Sequence, residues 1–97
     1  MTEAELLAEV VNACEDLELP WHHCRDSRHC DGTPGFPDLV ITGKRVLFRE
    51  LKSDDGRSSR AQLDYIGRLR RGRCNVGIWR PEDWGSGLIT RELEEIA

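Results

Sequence analysis

Gly35-Phe36-Pro37-Asp38-Leu39-Val40-Ile41-Thr42-Gly43-Lys44-Arg45-Val46-Leu47-Phe48-Arg49-Glu50-Leu51-Lys52 is the segment from which the architecture is read. Two apolar, β-branched runs, Leu39 to Ile41 and Val46 to Phe48, flank the turn Thr42-Gly43-Lys44-Arg45. Such an arrangement reads as a β-hairpin. With the turn centred between Gly43 and Lys44, Asp38 falls across from Arg49, one residue from Glu50. Opposed residues of a hairpin have Cβ atoms about 5 Å apart, so near neighbours remain within side-chain reach. Glu50 and Lys52 are two apart and share a face of their strand. The hairpin therefore gathers two carboxylates and one ammonium at one end.

A strand reading Val-Leu-Phe-Arg-Glu-Leu-Lys is expected to end in core, where an unpaired Glu or Lys is expensive. Two carboxylates there suit a hard divalent cation such as Mg2+, which takes oxygen ligands and keeps waters that a phosphate can displace. A lysine beside that ion can steady an attacking water or a developing phosphate charge. The competing explanation is an ion pair, Asp38 with Lys52 or Glu50 with Lys52, on a solvated strand end.

Pro37-Asp38 followed by Glu50-Leu51-Lys52 resembles the signature of the PD-(D/E)XK nuclease superfamily in its E-x-K form. The wider set is similar to the VRR-NUC family within it: His23, Asp26-Ser27, Gly35 to Leu39, Glu50 to Lys52, Gln62 and Trp79-Arg80-Pro81, in that order across nearly the whole chain. The resemblance implies a minimal restriction-endonuclease-like α/β fold, ordered α-β-β-β-α-β-α around a mixed central sheet. It implies that Asp38, Glu50 and the Leu51 backbone carbonyl hold Mg2+ or Mn2+, and that Lys52 acts on water. By the same likeness a first-helix glutamate completes the site, with Glu3 favoured over Glu5 and Glu9, and Gln62 lies near Lys52. His23 and Ser27 then fall at the substrate edge.

The length of 97 residues allows one domain, residues 1–97, with a single core. No run is long and apolar enough to span a membrane. The acidic first residues and the lack of an apolar h-region give an expectation of a cytoplasmic protein. In that compartment Cys14, Cys24, Cys30 and Cys74 are expected to be reduced thiols. Net charge is −4, yet Lys44 to Arg80 carries eleven cations against four acids. A basic middle on an acidic chain is compatible with phosphate binding, or with an ordinary solvated helix and loop. Lys44, Arg57 and Arg60 are the cations assigned to DNA.

In chain order, Thr2 to Leu17 is expected to be helical, with Leu6, Leu7, Val10, Val11, Cys14 and Leu17 on one face. Thr2 and Glu5 form a capping box. Glu3 is either a partner of the metal site or a first-turn acid favoured by the helix dipole. Pro20 closes the helix and a short strand follows from Trp21 to Cys24. His22, His23, Cys24, His29 and Cys30 crowd together without the paired spacings of a structural zinc site. Arg25 to Pro37 is a loop, in which Asp26 and Ser27 serve either substrate or local turns. A second helix opens at Ser59 and runs to Arg71, with Leu63, Ile66 and Leu69 inward. Ser59 and Gln62 form another capping box, a purely local role for Gln62. Asn75 to Trp79 is the last strand, parallel to its predecessor. Pro81 to Gly87 reads as a turn, and Ile89, Leu93 and Ile96 stripe a closing helix.

The resulting expectation is a metal-dependent DNA endonuclease, structure-selective for branched DNA of the four-way-junction type and acting as a homodimer. Two other classes fit the same residues: a sequence-directed defence endonuclease, and a non-catalytic nucleic-acid-binding module, with or without stabilising zinc.

Overall fold

The computed structural model describes residues 1–24 and 30–97. Among the described residues eight elements follow in order: α1 (Glu3–Asp16), β1 (Trp21–His23), β2 (Leu39–Thr42), β3 (Val46–Leu51), α2 (Arg60–Arg71), β4 (Asn75–Trp79), α3 (Pro81–Gly85) and α4 (Leu88–Ile96). The expected α-β-β-β-α-β-α order is present with one addition. The segment expected to be a turn after Pro81 contains the short helix α3. Proline at the first helical positions is pre-set for helix, and the Asp83 carboxylate accepts the Arg80 N–H at 2.8 Å.

The four strands form one mixed sheet in the order β1-β2-β3-β4. β1–β2 and β2–β3 are antiparallel, and β3–β4 is parallel across the α2 connection. Leu39 pairs with Arg49, and Thr42 with Val46. The turn is thus centred on Lys44, and Asp38 does not face Arg49 as the spacing suggests. Continuing the register by one step brings Asp38 level with Glu50. The shift has a tertiary cause, because the turn docks on the end of α4. Lys44 N–H donates to the Ile96 carbonyl at 2.7 Å, and a Cβ on Gly43 would collide with that same oxygen.

Alternation along the strands divides the sheet into two faces. Leu39, Ile41, Leu47 and Leu51 point to one side and are buried with Leu6, Val10 and Cys14 of α1, Trp79, and Ile89, Leu93 and Ile96 of α4. Arg49 shares this side and is only 4% exposed. Its guanidinium donates to the Asn75 carbonyl and side chain and to Glu92, and lies 5.0 Å from the Trp79 ring centroid. Glu92 also accepts the Trp79 indole N–H at 2.8 Å, so one carboxylate ties α4 to side chains of both β3 and β4.

The opposite face carries Phe48, Glu50 and α2. Ile66 is buried there as expected, but Leu63 is exposed rather than inward. The α1 and α2 capping boxes both form, with Thr2–Glu5 and Ser59–Gln62 bonding reciprocally. Cys24 and Cys30 are joined in a disulfide, which corrects the expectation of four reduced thiols. The fold brings these two together, whereas Cys14 and Cys74 stay free. Burial pushes the Cys14 thiol up to about 11, where it is protonated and inert.

Candidate active site

A cleft of about 800 Å³ opens where β1 and β3 end, between the first turns of α1, the segment Gly32–Asp38 and Gln62 of α2. Its wall includes Glu3, His23, Asp38, Glu50, Lys52 and Gln62.

Asp38 stands one residue before β2 and Glu50 one residue before the end of β3. Each carboxylate takes a hydrogen bond from the other's strand. Asp38 N–H donates to Glu50 Oε1 at 3.2 Å, and Leu51 N–H donates to Asp38 Oδ1 at 3.2 Å. The approach to Asp38 is also fixed. Gly35 has φ +100°, and a Cβ there would collide with the Ala61 carbonyl at the start of α2. Only glycine meets both requirements. Pro37 is fully buried, and Cys24 N–H donates to the Asp38 carbonyl at 3.0 Å.

Glu50 Oε2 receives two further groups. Gln62 Nε2 donates to it at 2.7 Å, and Lys52 Nζ lies 3.6 Å away. The same Gln62 side chain accepts Ser59 N–H through Oε1 at 2.8 Å. The one amide thus uses its acceptor for the expected helix cap and its donor for Glu50, whereas the resemblance places it near Lys52. Of the two candidate ion pairs, the observed one joins Lys52 to Glu50. Lys52 keeps 14% exposure and faces the cleft.

Burial pushes the Asp38 carboxyl up to about 7, and the neighbouring Glu50 charge adds to this. The Leu51 N–H, and more weakly the Lys52 ammonium, oppose the rise. Burial also raises Glu50 above its ordinary value, against Lys52 and the Asp38 N–H. Glu3 is exposed, but its charge reaches both carboxyls and raises each. Among the first-helix acids, Glu3 is thus the one brought to the cleft. Glu5 is occupied by the Thr2 cap, where the hydrogen bonds hold its carboxyl below the ordinary value.

The two carboxylates carry negative charge that their surroundings do not fully compensate, and they present only oxygen. This donor set fits Mg2+ or Mn2+. Among the described residues Asp38 Oδ2 accepts no hydrogen bond, and no three His, Cys, Asp or Glu side chains converge to hold a metal by themselves. A cation here would rest on Asp38 and Glu50 and complete its shell from the Leu51 carbonyl, water or phosphate, as Mg2+ does with one or two carboxylates. The disulfide removes Cys24 and Cys30 as thiolate ligands for zinc.

The remaining assigned residues are distributed unevenly. His23 pairs with Leu39 and lines the cleft. Arg57 is exposed beside the loop that follows Lys52, and Arg60 is exposed and bonded to Asp64 at 3.1 Å. Neither lines the cleft. Lys44 lies in the hairpin turn, at the opposite end of β2 and β3 from the carboxylates. Asp26, Ser27 and His29 lie outside the described residues. Arg80 has a structural task that its place in Trp79-Arg80-Pro81 does not reveal. Its Nη1 donates to the Ser53 carbonyl at 2.7 Å and the Gly56 carbonyl at 2.8 Å. It thereby ties down the loop between Lys52 and Arg57, contacts for which no local spacing gives a signal.

The same arrangement of strands and helices occurs in a solved structure described as a VRR_NUC domain protein. The match has a TM-score of 0.71 and 22% identity, and covers 97% of this chain and 89% of the other. The chain has the fold of a VRR_NUC domain. No family model matches the sequence, and no curated protein matches it. The fold expectation drawn from Pro37-Asp38 and Glu50-Leu51-Lys52 is met in the sheet and in the order of its main elements. No helix is long and apolar enough to cross a membrane among the described residues.

Proposed function

We propose that the cleft is the active site of a metal-dependent DNA endonuclease that hydrolyses phosphodiester bonds and favours branched substrates. The observation that carries this reading is the crossed pair Asp38 and Glu50, each bonded to the other's strand, with Lys52 beside them in one cleft. The VRR_NUC fold and the sequence resemblance support a nuclease-type domain for the same residues.

Each side chain has a distinct task. Asp38 and Glu50 supply the anionic oxygens for Mg2+ or Mn2+, with Glu3 as an outer partner. A divalent cation bound there supplies positive charge opposite the phosphate oxygens and lowers the pKa of nearby water. Gln62 fixes the Glu50 carboxylate through Nε2, limiting its rotation. Lys52 directs its ammonium protons to the attacking water and to negative charge developing on the phosphate. Arg57 and Arg60, outside the cleft, contact backbone phosphates on either side of the cut. A homodimer would present two clefts to a branched substrate, as paired nicks require.

The test is incubation of branched, duplex and single-stranded DNAs of matched sequence with the protein, in Mn2+ and in chelator. Cleavage in Mn2+, greatest on branched DNA and absent in chelator, is the expected result. Full activity in chelator, or no cleavage of any substrate in Mn2+ or Mg2+, defeats the reading.

A further inference from the structure

Phe36 is a large apolar residue left 43% exposed on the wall of the cleft. A phenylalanine left partly in water forgoes part of the stabilisation that burial would give. The ring is not loosely placed. It meets Phe48 edge to face at 6.0 Å and Tyr65 at 5.2 Å, with interplanar angles of 87° and 89°. Its backbone is held from both sides, by the close approach of Gly35 to Ala61 and by the buried Pro37. Asp38 lies two residues on, and two residues of chain span at most ~7 Å. A rigidly mounted, half-exposed aromatic ring thus stands next to the carboxylate pair.

From this we infer that Phe36 is a stacking platform for an unpaired nucleobase of the strand being cut. The inference rests on the nuclease reading of the cleft and gives it a substrate class: DNA with an unpaired or displaced nucleotide at the scissile position. A nucleobase is the occupant that suits both halves of the site. Its flat π face matches the ring, and its phosphate is delivered to Lys52 and the oxygen-rich pocket. Base–aromatic stacking is sequence-tolerant because every base has a π face. Within continuous duplex both faces of each base are already covered by neighbours. The platform therefore engages only where stacking is interrupted, at a branch, a bulge or a single-stranded segment. This gives structure selectivity without reading sequence.

The experiment compares wild-type protein with Phe36→Leu and Phe36→Tyr. The probes are a continuous DNA duplex and the same duplex carrying one unpaired 2-aminopurine nucleotide. Binding is followed with Ca2+ present and single-turnover cleavage with Mn2+. Wild type is expected to quench the 2-aminopurine and to favour the interrupted probe. Phe36→Leu should lose affinity for that probe by about 5- to 50-fold while changing duplex affinity less than about twofold, and Phe36→Tyr should restore both affinity and quenching. Thermal unfolding identifies a misfolded Phe36→Leu protein, in which case Phe36→Met takes its place. If wild type cleaves DNA but Phe36→Leu or Phe36→Met keeps the preference and the quenching, the platform is refuted while the nuclease reading stands. If wild type cleaves branched DNA in Mn2+ but neither prefers the interrupted probe nor quenches its 2-aminopurine, the platform is likewise refuted and the nuclease reading stands; only wild type that cleaves none of these DNAs brings both down.

Discussion

Replacing Asp38 by asparagine should stabilise the metal-free protein at pH 8 and do so less as pH falls. The carboxyl is held at about 7 in the fold, against an ordinary value near 3.8. Because the folded value is the raised one, the stability associated with the proton is fully present below about pH 3.8 and is lost as pH rises through about 7. At 1.36 kcal/mol per pH unit, the full ionisation penalty is ~4 kcal/mol by pH 8. Asp38 is half-buried, so solvent screening reduces this to ~2 kcal/mol. The amide introduced by Asp38→Asn is uncharged, and its oxygen remains within reach as an acceptor for the Leu51 N–H. For a domain of this size ~2 kcal/mol is a rise in Tm of about 10 °C. Thermal unfolding of both proteins by circular dichroism from pH 4 to pH 8, in chelator, measures the difference. The gap should widen steadily with pH, and Mg2+ or Mn2+ should raise the Tm of wild type alone. A gap that is absent at pH 8, or constant across the range, would show that Asp38 ionises in the fold without penalty, and the electrostatic argument for a cation would lose its basis.

Three further outcomes are expected. Gln62→Glu keeps an oxygen for the Ser59 cap but replaces the donor to Glu50 with a third carboxylate, so cleavage should fall by about 10- to 100-fold and the metal-free Tm should fall at about pH 8 more than at about pH 5; unchanged single-turnover rates would leave Gln62 only its capping role. Glu92→Ala leaves the buried Arg49 guanidinium and the Trp79 indole without a shared acceptor, a loss of ~3 kcal/mol or about 15 °C in Tm; urea unfolding that shows a loss below ~1 kcal/mol would make the network dispensable. Lys52→Ala should remove cleavage while nearly preserving DNA affinity, whereas Arg57→Ala with Arg60→Ala should weaken binding and reduce its salt slope by about one per lost phosphate contact. Gel shifts at several salt concentrations beside cleavage assays separate these, and a parallel loss of both activities in Lys52→Ala would make it a binding residue.

Residues 35–52 are informative because period-two burial, the turn and the carboxylate spacing all act over a few positions. The helix starts are legible for the same reason: Thr2 with Glu5 and Ser59 with Gln62 are three-residue relations. The register of the hairpin is not, since the turn is drawn half a step along by the Ile96 carbonyl, contributed from the far end of the chain. Helix α3 has five residues, too few for a periodic signal. Leu63 fits an inward stripe by spacing, yet of the three stripe residues Leu63, Ile66 and Leu69 only Ile66 is buried and Leu63 is exposed. Gln62 reads as an either-or because a sequence pattern shows one partner of an amide at a time. Composition assigns the cysteines to a compartment, but it does not see that Cys24 and Cys30 meet six residues apart.

The crossed hydrogen bonds between Asp38 and Glu50 also bear on when the site comes into being. Each carboxylate takes its backbone hydrogen bond from the other strand, so a hairpin slipped by one residue leaves both without those donors and turns one to the opposite face. Gly35 and Gln62 add a second condition, since α2 must have docked before Glu50 is locked. A growing chain that has released only about its first half therefore has the ligands but no site. Any cutting activity would switch on in a single step with completion of the fold, and loss of activity would report register errors that a compact, helical and otherwise native-looking protein could hide.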